Sequence, residues 1–387
     1  MQGSYHDKKE RCNSMNNSLP PSVIERHRFL YVGMDIHKDA HTAVAINCFG
    51  QNLFKMVIAN SEKDFAHLTA TVARLSKERK LHPIFGLEDS YGYGSRLARF
   101  LSQTNACVKM VPPVLVDYAR RYETHPEKND SLDALGVAKV LIQRIDSLPD
   151  YSISKEDDLS KEIKELALDR EFLVKEQTRI KNQLHRLLRQ AYNSAYREKF
   201  KDPFSLKALR YWKSHPAPRT NTDTLSNVFK NQIRRKVKRL LDIREEVKEI
   251  EQELTLLIAQ TGQKLHTLNG SGTVLTSQVL AEIRNIDRFH SPDALAKYAG
   301  LAPRERSSGK TKRHVKTKSG NRRLNMAIHR IALSQISRSG NVEAKAYFQR
   351  KLSEGKTKAQ ALCCLKRRLV DIIFMMLKHK QEYRYER

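Results

Sequence analysis

"FLYVGMDIHKDAHTAVAIN", residues 29–47, decides the fold. An apolar, β-branched run ends at Asp35 and Ile36, "HKDA" is polar and tight enough for a turn, and a second alternating strand follows. "CFGQ" makes the next turn and "NLFKMVI" a third strand, so residues 29–58 predict an antiparallel meander. Beyond it a helix is expected from Ser61 to Leu81, with Phe65, Leu68, Val72 and Leu75 on one face. "HPIFGLE" then reads as a buried strand, "YGSRLARFLSQ" as a helix and "CVKMVPP" as a strand. The next helix begins in "EKNDSLDALGVAKVL", residues 127–141. Hairpin strands followed by alternating helix and strand predict an α/β domain with a mixed sheet over residues 29–148.

Two acids, Asp130 and Asp133, open that last helix three residues apart and therefore on one face. The chain around them is strongly basic, with 71 Lys and Arg against 43 Asp and Glu, a net charge of +28 over 387 residues. Such an excess implies a polyanionic partner, and nucleic acid is the usual one. The acids need a separate reason. Asp35 ends the first strand and Glu88 ends "PIFGLE". In a mixed sheet of this order, neighbouring strand ends can bring Asp35 and Glu88 together, with the Asp130–Asp133 helix beside them. Four carboxylates within ~5 Å repel by about 3 kcal/mol per pair at an effective dielectric near 20. Cations between them reverse the sign, and hard oxygen donors select Mg2+ or Mn2+. Two such ions can activate a nucleophile and stabilise the leaving oxygen of a phosphodiester. Read singly, each acid has a plainer role: strand-end aspartates form turns, and Asp130 is a good helix N-cap. Asp39 and Asp89 read as turn residues.

Outside this domain the pattern changes. Residues 1–28 read as a flexible leader, polar and without an apolar signal core, which predicts a cytoplasmic, nucleoid-associated protein. No apolar run approaches the ~20 residues of a membrane span. Five cysteines without a CxxC pair argue against a zinc site and a disulfide framework. Leu159, Ile163, Leu166, Leu173, Ile180, Leu184 and Leu187 follow 4-3 spacing, as do Ile233, Val237, Leu240, Val247, Ile250, Leu254 and Leu257. Residues 149–264 therefore predict a helical coiled-coil region, either an antiparallel hairpin or an oligomerisation arm of a dimer or tetramer. The segment 192–228, with three prolines and the single tryptophan, Trp212, breaks the repeat as an insertion.

Residues 265–387 read as a mostly α domain. "LHTLNGSGTVLTSQVLAEI" resembles a helix-hairpin-helix element whose N–H groups near Gly270 and Gly272 could take a phosphate. The densest basic run follows: Arg304, Arg306, Lys310, Lys312, Arg313, Lys316, Lys318, Arg322, Arg323 and Arg330 against Glu305 alone. Such a run is often a solvated face; flanked by helical patterns, it predicts a nucleic-acid track.

"YVGMDIHKDAHTAVAI", "GLEDSYGYG" and "KNDSLDALGVAKVL" resemble the RuvC-like, RNase H-fold domain of the IS110/IS1111 family of insertion-sequence transposases. Residues 265–380 are similar to that family's second domain. The resemblance implies a D-E-D-D metal site at Asp35, Glu88, Asp130 and Asp133. It also implies a serine nucleophile at Ser308, with Ser307 adjacent, forming a covalent link to a DNA 5′ phosphate. Donor and target DNA, and a structured guide RNA made by the element, are the partners it implies. Asn269-Gly270 replaces the family's usual Pro-Gly, and neither the insertion nor the leader has an obvious counterpart. Without the resemblance, two other readings stand: a RuvC-like nuclease such as a junction resolvase, with water attacking, or a non-enzymatic nucleic-acid-binding protein.

Overall fold

A computed structural model describes residues 23–88, 92–121, 129–151, 155–216, 224–308, 311–315 and 320–384. Of residues 23–24, 121, 155–157, 224–226, 304–308 and 311–315 it describes the backbone alone. The expected leader lies outside the described residues up to residue 22, as does Asp89. The chain divides after residue 153 into two compact units.

The first unit contains β1 (Phe29–Ile36), β2 (Ala40–Ile46), β3 (Asn52–Ala59), β4 (His82–Leu87) and β5 (Cys107–Met110) in one sheet of order β3-β2-β1-β4-β5. β1, β2 and β3 form the predicted antiparallel meander, while β4 and β5 run parallel to β1 and to each other. Its helices are α1 (Val23–Arg26), α2 (Glu62–Arg79), α3 (Ser95–Gln103), α4 (Pro113–Arg121) and α5 (Asp130–Arg144). α2 is capped by Ser61, whose hydroxyl accepts from the Asp64 N–H. It buries Phe65, Leu68 and Val72 as its spacing requires. The α4 helix was not expected from sequence. α1, at the end of the expected leader, is tied down by Arg26, which donates to the Ile142 carbonyl at 2.7 Å.

Alternation along β1 sends Leu30, Val32 and Met34 into one core and Tyr31 into another. The second core is covered by α5 through Ala134, Val137, Ala138 and Leu141. Gly33 and Gly86 stand opposite each other in the parallel β1–β4 register, beneath that helix. A Cβ on Gly33 would lie 2.1 Å from the Ala134 carbonyl oxygen and 2.5 Å from the Ala138 nitrogen; one on Gly86 would lie 2.8 Å from Leu141 Cδ1. The two glycines thus let α5 sit directly on the sheet, with its N-terminus at the ends of the strands.

The second unit is built on two 38-residue helices, α6 (Lys155–Tyr192) and α9 (Thr224–Thr261). They pack antiparallel: Arg170 pairs with Glu251 at 2.7 Å and Arg239 with Glu176 at 3.2 Å. Ile163, Leu173, Ile180, Leu184 and Leu187 meet Ile233, Val237, Leu240, Ile250 and Leu254 between them. Between the two lie α7 (Ala195–Lys199) and α8 (Leu206–Ser214). Trp212 is fully buried there and donates Nε1–H to the Pro203 carbonyl at 2.9 Å. The uninterpreted insertion is, over its described residues, a folded cap with an aromatic core.

The remaining helices are α10 (Thr273–Ile283), α11 (Pro292–Tyr298), α12 (Arg322–Ile336), α13 (Val342–Ser353) and α14 (Lys358–His379). The turn before α10 docks on α12, with Gln335 Nε2 donating to the Asn269 carbonyl at 2.9 Å. The basic run adds an element absent from the sequence reading. β6 (Arg304–Ser308) and β7 (Thr311–Val315) pair antiparallel as a two-stranded ribbon. No described helix is long and apolar enough to cross a membrane.

Candidate metal centre and nucleic-acid surface

Asp35 is carried at the end of β1, one residue beyond the last β1–β4 pair, Met34 with Leu87. The residue is 7% exposed. Burial is the largest influence on its carboxyl group and pushes its pKa up; His37 opposes this, and the charges of Asp133 and Asp130 add to it. The like charges that add to the shift mark Asp130 and Asp133 as electrostatic neighbours of Asp35. Asn129, rather than Asp130, caps α5: its side chain accepts from the Leu132 N–H at 2.9 Å. Asp130 is thereby free of the capping duty and largely exposed. Asp133 lies one turn on and is held by Arg120 at 3.3 Å, which also holds Asp117 at 2.8 Å.

Glu88 directly follows Leu87, half-buried at the end of β4. The β1–β4 register ends one residue earlier, at Met34 with Leu87, and among the described residues neither Glu88 nor Asp133 belongs to the group whose ligand atoms converge.

His37 was not expected at the site. Its Nε2 lies 3.1 Å from Asp35 Oδ2 and 3.3 Å from Asp130 Oδ1. Ligand atoms of Asp35, His37 and Asp130 all lie within 4.8 Å of one another. The imidazole is nevertheless off hydrogen-bond alignment with Asp35, whose Oδ2 is buried without a hydrogen-bond partner. A buried anionic oxygen with an unmet bonding requirement, facing a second carboxylate and a nitrogen donor, fits a divalent cation. The signal in sequence was the two-residue offset from Asp35, which puts both side chains on one face of the extended strand end.

Ser308, the expected nucleophile, ends β6 and is registered opposite Thr311; Ser307 is registered opposite Lys312. Arg304 and Arg306 lie in β6, Lys312 and Arg313 in β7. Lys310, Lys316 and Lys318 lie outside the described residues. Arg322 and Arg323 occupy the first turn of α12, both exposed, with Arg323 3.6 Å from Glu171.

Residues 32–193 match the IS110-type DEDD model described as "Transposase", and residues 262–349 match the "Transposase IS116/IS110/IS902 family". The chain is 25% identical to the insertion element IS116 uncharacterized 44.8 kDa protein of Streptomyces clavuligerus, over 92% of this chain and 96% of that one. It is 25% identical to the insertion element IS900 uncharacterized 42 kDa protein of Mycobacterium paratuberculosis, over 92% and 97%. The pilin gene-inverting protein of Moraxella bovis is 24% identical over 91% and 97%. Among solved structures, T. thermophilus RuvC in complex with a Holliday junction substrate aligns with 32% of this chain and 99% of that one, at 12% identity and a TM-score of 0.25.

Proposed function

The chain belongs to the IS110/IS116/IS902 family of transposases, and from that premise we propose how it cuts and rejoins DNA. In this reading Asp35, Glu88, Asp130 and Asp133 hold Mg2+ or Mn2+ on an RNase H-like sheet. The observation that carries it is the convergence of Asp35, His37 and Asp130 around one point, with the buried Asp35 Oδ2 near His37 but making no aligned hydrogen bond. The sheet order β3-β2-β1-β4-β5, with acids at the ends of its central strands, supports the same assignment. A bound divalent ion would favour ionisation of the attacking hydroxyl and offset charge on the leaving oxygen.

The protein's own residues do the rest. β1 fixes Asp35 in a partly desolvated position, and Arg120 steadies Asp133. Ser308 attacks the scissile phosphorus: its oxygen forms an ester with the 5′ phosphate as the bond to the 3′ oxygen breaks. The 3′ oxygen leaves with a proton as a free hydroxyl. One phosphoester replaces another, so a 3′ hydroxyl can reverse the step and rejoin DNA without ATP. Arg304, Arg306, Lys312 and Arg313 grip the phosphate backbone, with Lys310, Lys316, Lys318, Arg322 and Arg323 extending the track. Two features support an anion there. Arg306 is registered directly opposite Arg313, a like-charge pair that destabilises an isolated ribbon. Arg322 and Arg323 place positive charge on the positive end of a helix dipole. A polyanion offsets both costs. A structured guide RNA, a homo-oligomeric assembly and a cytoplasmic, nucleoid-associated location complete the reading. For the guide RNA, only the resemblance and the basic surface speak.

The similarity to a pilin gene-inverting protein over 91% of this chain favours a second reading, in which the same chemistry inverts a DNA segment at fixed sites. Both differ from a junction resolvase in one product. The wild-type protein incubated with the element's RNA, donor and target DNA and Mg2+, then denatured, should carry DNA covalently. Ser308→Ala should remove the adduct, and Asp35→Ala should remove both adduct and cleavage. An adduct surviving Ser308→Ala refutes the serine assignment. Wild-type cleavage by Asp35→Ala refutes the metal centre.

A further inference from the structure

The long hairpin carries a charge division that the transposase reading leaves unused. Its far half, residues 177–241, holds 17 lysines and arginines against three acids, Glu198, Asp202 and Asp223. Its near half, residues 155–176 and 242–253, holds 14 acids against seven lysines and arginines. Surface helices ordinarily intersperse the two signs, because a one-sign field repels itself and destabilises the compact state. Of the pairs that tie the hairpin together, Arg170 with Glu251 lies within the acidic half, and Arg239 with Glu176 joins the two halves at their boundary. At the far end Arg186, Arg189, Lys207, Arg210, Arg234 and Lys238 are all exposed.

These cations stand on a rigid base. Trp212 is fully buried, and Tyr192, Phe200 and Tyr211 pack around its ring with centroids 5.1–5.5 Å away. Tyr192 also donates its hydroxyl to the His215 carbonyl at 2.5 Å, joining the end of α6 to the end of α8. A folded aromatic core holds the positive surface in place, so binding to it does not require ordering a loop.

We propose that the far end of the α6–α9 hairpin is a second DNA grip, binding the phosphate backbone of a duplex without reading its sequence. Clustered lysine and arginine on a rigid surface supply the counterion-releasing interactions that non-specific DNA binding uses. The acidic half repels the same backbone and confines it to the tip. Duplex DNA is the occupant because the family's substrate is DNA, so the choice of ligand rests on the proposed function while the surface does not.

The test uses the full-length protein, a random-sequence DNA duplex and EDTA, so that cleavage plays no part. Affinity is measured against salt concentration for the wild type and for a variant with Arg186, Arg189, Arg234 and Lys238 changed to Gln. The slope of log K against log salt should shrink by about 0.9 for each phosphate no longer neutralised, hence by about 3 to 4. A control changing Lys161, Lys164, Arg244 and Lys248 to Gln removes the same charge from the acidic half and should leave the slope within about one of wild type. A third variant, with the three arginines changed to Lys, should restore binding and shows that charge, not shape, is read. An unchanged slope in the tip variant overturns the proposal, and so does an equal loss in the control. Loss of binding to an RNA duplex with DNA binding intact overturns the choice of DNA. Asp35→Ala should bind like wild type here, so failure of the metal centre and failure of the grip give different results.

Discussion

Asp35 and Asp130 come from a strand end and a distant helix start, yet they flank a single nitrogen, His37 Nε2, at 3.1 and 3.3 Å. Two carboxylates that approach one imidazole this closely can share an ion with it. A nitrogen donor among oxygens raises affinity for borderline metals more than for Mg2+. His37→Ala should therefore weaken Mn2+ binding by about tenfold, or about 1.4 kcal/mol, and Mg2+ binding less. Titration calorimetry measures both. Equal or tighter Mn2+ binding would show the imidazole only filling the ion's place.

Asp35 carries a penalty that Asn would not. Burial raises its carboxyl group above the ordinary 3.8, so ionising it costs the folded state. The penalty sets in as pH rises through the unfolded value and persists above the folded one. In EDTA at pH 7, Asp35→Asn should raise the thermal midpoint, by about 2–4 °C per kcal/mol recovered. The gain should fade as pH falls through the folded value and be gone below about pH 4, where both forms are neutral. Saturating Mg2+ should stabilise the wild type and leave the variant unmoved. A variant melting below wild type in EDTA would contradict this.

Gly33 sets how closely α5 approaches the sheet. Gly33→Ala drives a methyl group into the Ala134 carbonyl and the Ala138 nitrogen, which are backbone atoms and cannot swing aside. A loss of about 3 kcal/mol or more is expected from denaturant unfolding, with metal affinity falling as Asp130 moves from Asp35. Gly86→Ala meets only the Leu141 side chain and should cost about 1–2 kcal/mol. Gly272→Ala, with no atom within 4 Å of the new carbon, should stay within about 1 kcal/mol of wild type. The order of the three, rather than any single value, is the check.

His41 gives the first unit an acid-sensitive limb. It is fully buried on β2 and stacks on Phe65, centroids 6.0 Å apart and rings 18° from parallel. Burial is the main cause of a pKa below the ordinary 6.5. The folded state therefore resists protonation: stability is full above about pH 6.5 and is lost as pH falls through the unfolded value toward the folded one. His41→Phe should flatten the fall in thermal midpoint between pH 7 and pH 5. His185 and His329 are also lowered by burial, so the difference from wild type, not the absolute slope, carries the result.

The meander, the α2 helix and the two long helices were legible because each is written in a local period, two or about 3.5 residues, that needs no knowledge of the partner. The placement of acids at strand ends was legible for the same reason. Gly33 and Gly86 each stand two residues before an acid, a repeat that passed unnoticed because glycine's meaning depends on what approaches it. The α4 helix starts at Pro113, inside the stretch read as a strand, and the β6–β7 ribbon is two five-residue basic strands too short for a periodic signal, so neither is visible in the sequence.

By itself the chain determined its strands, its helix faces and its charge. Only the tertiary structure decided that His37 meets Asp130, that Asn129 rather than Asp130 caps α5, and that a glycine pair lets that helix rest on the sheet. The first and the last are contacts between residues far apart in sequence, and close packing, unlike periodicity, exists only once both partners are in place; the cap is local, but Asn129 and Asp130 are equally good capping residues and only the helix start decides between them.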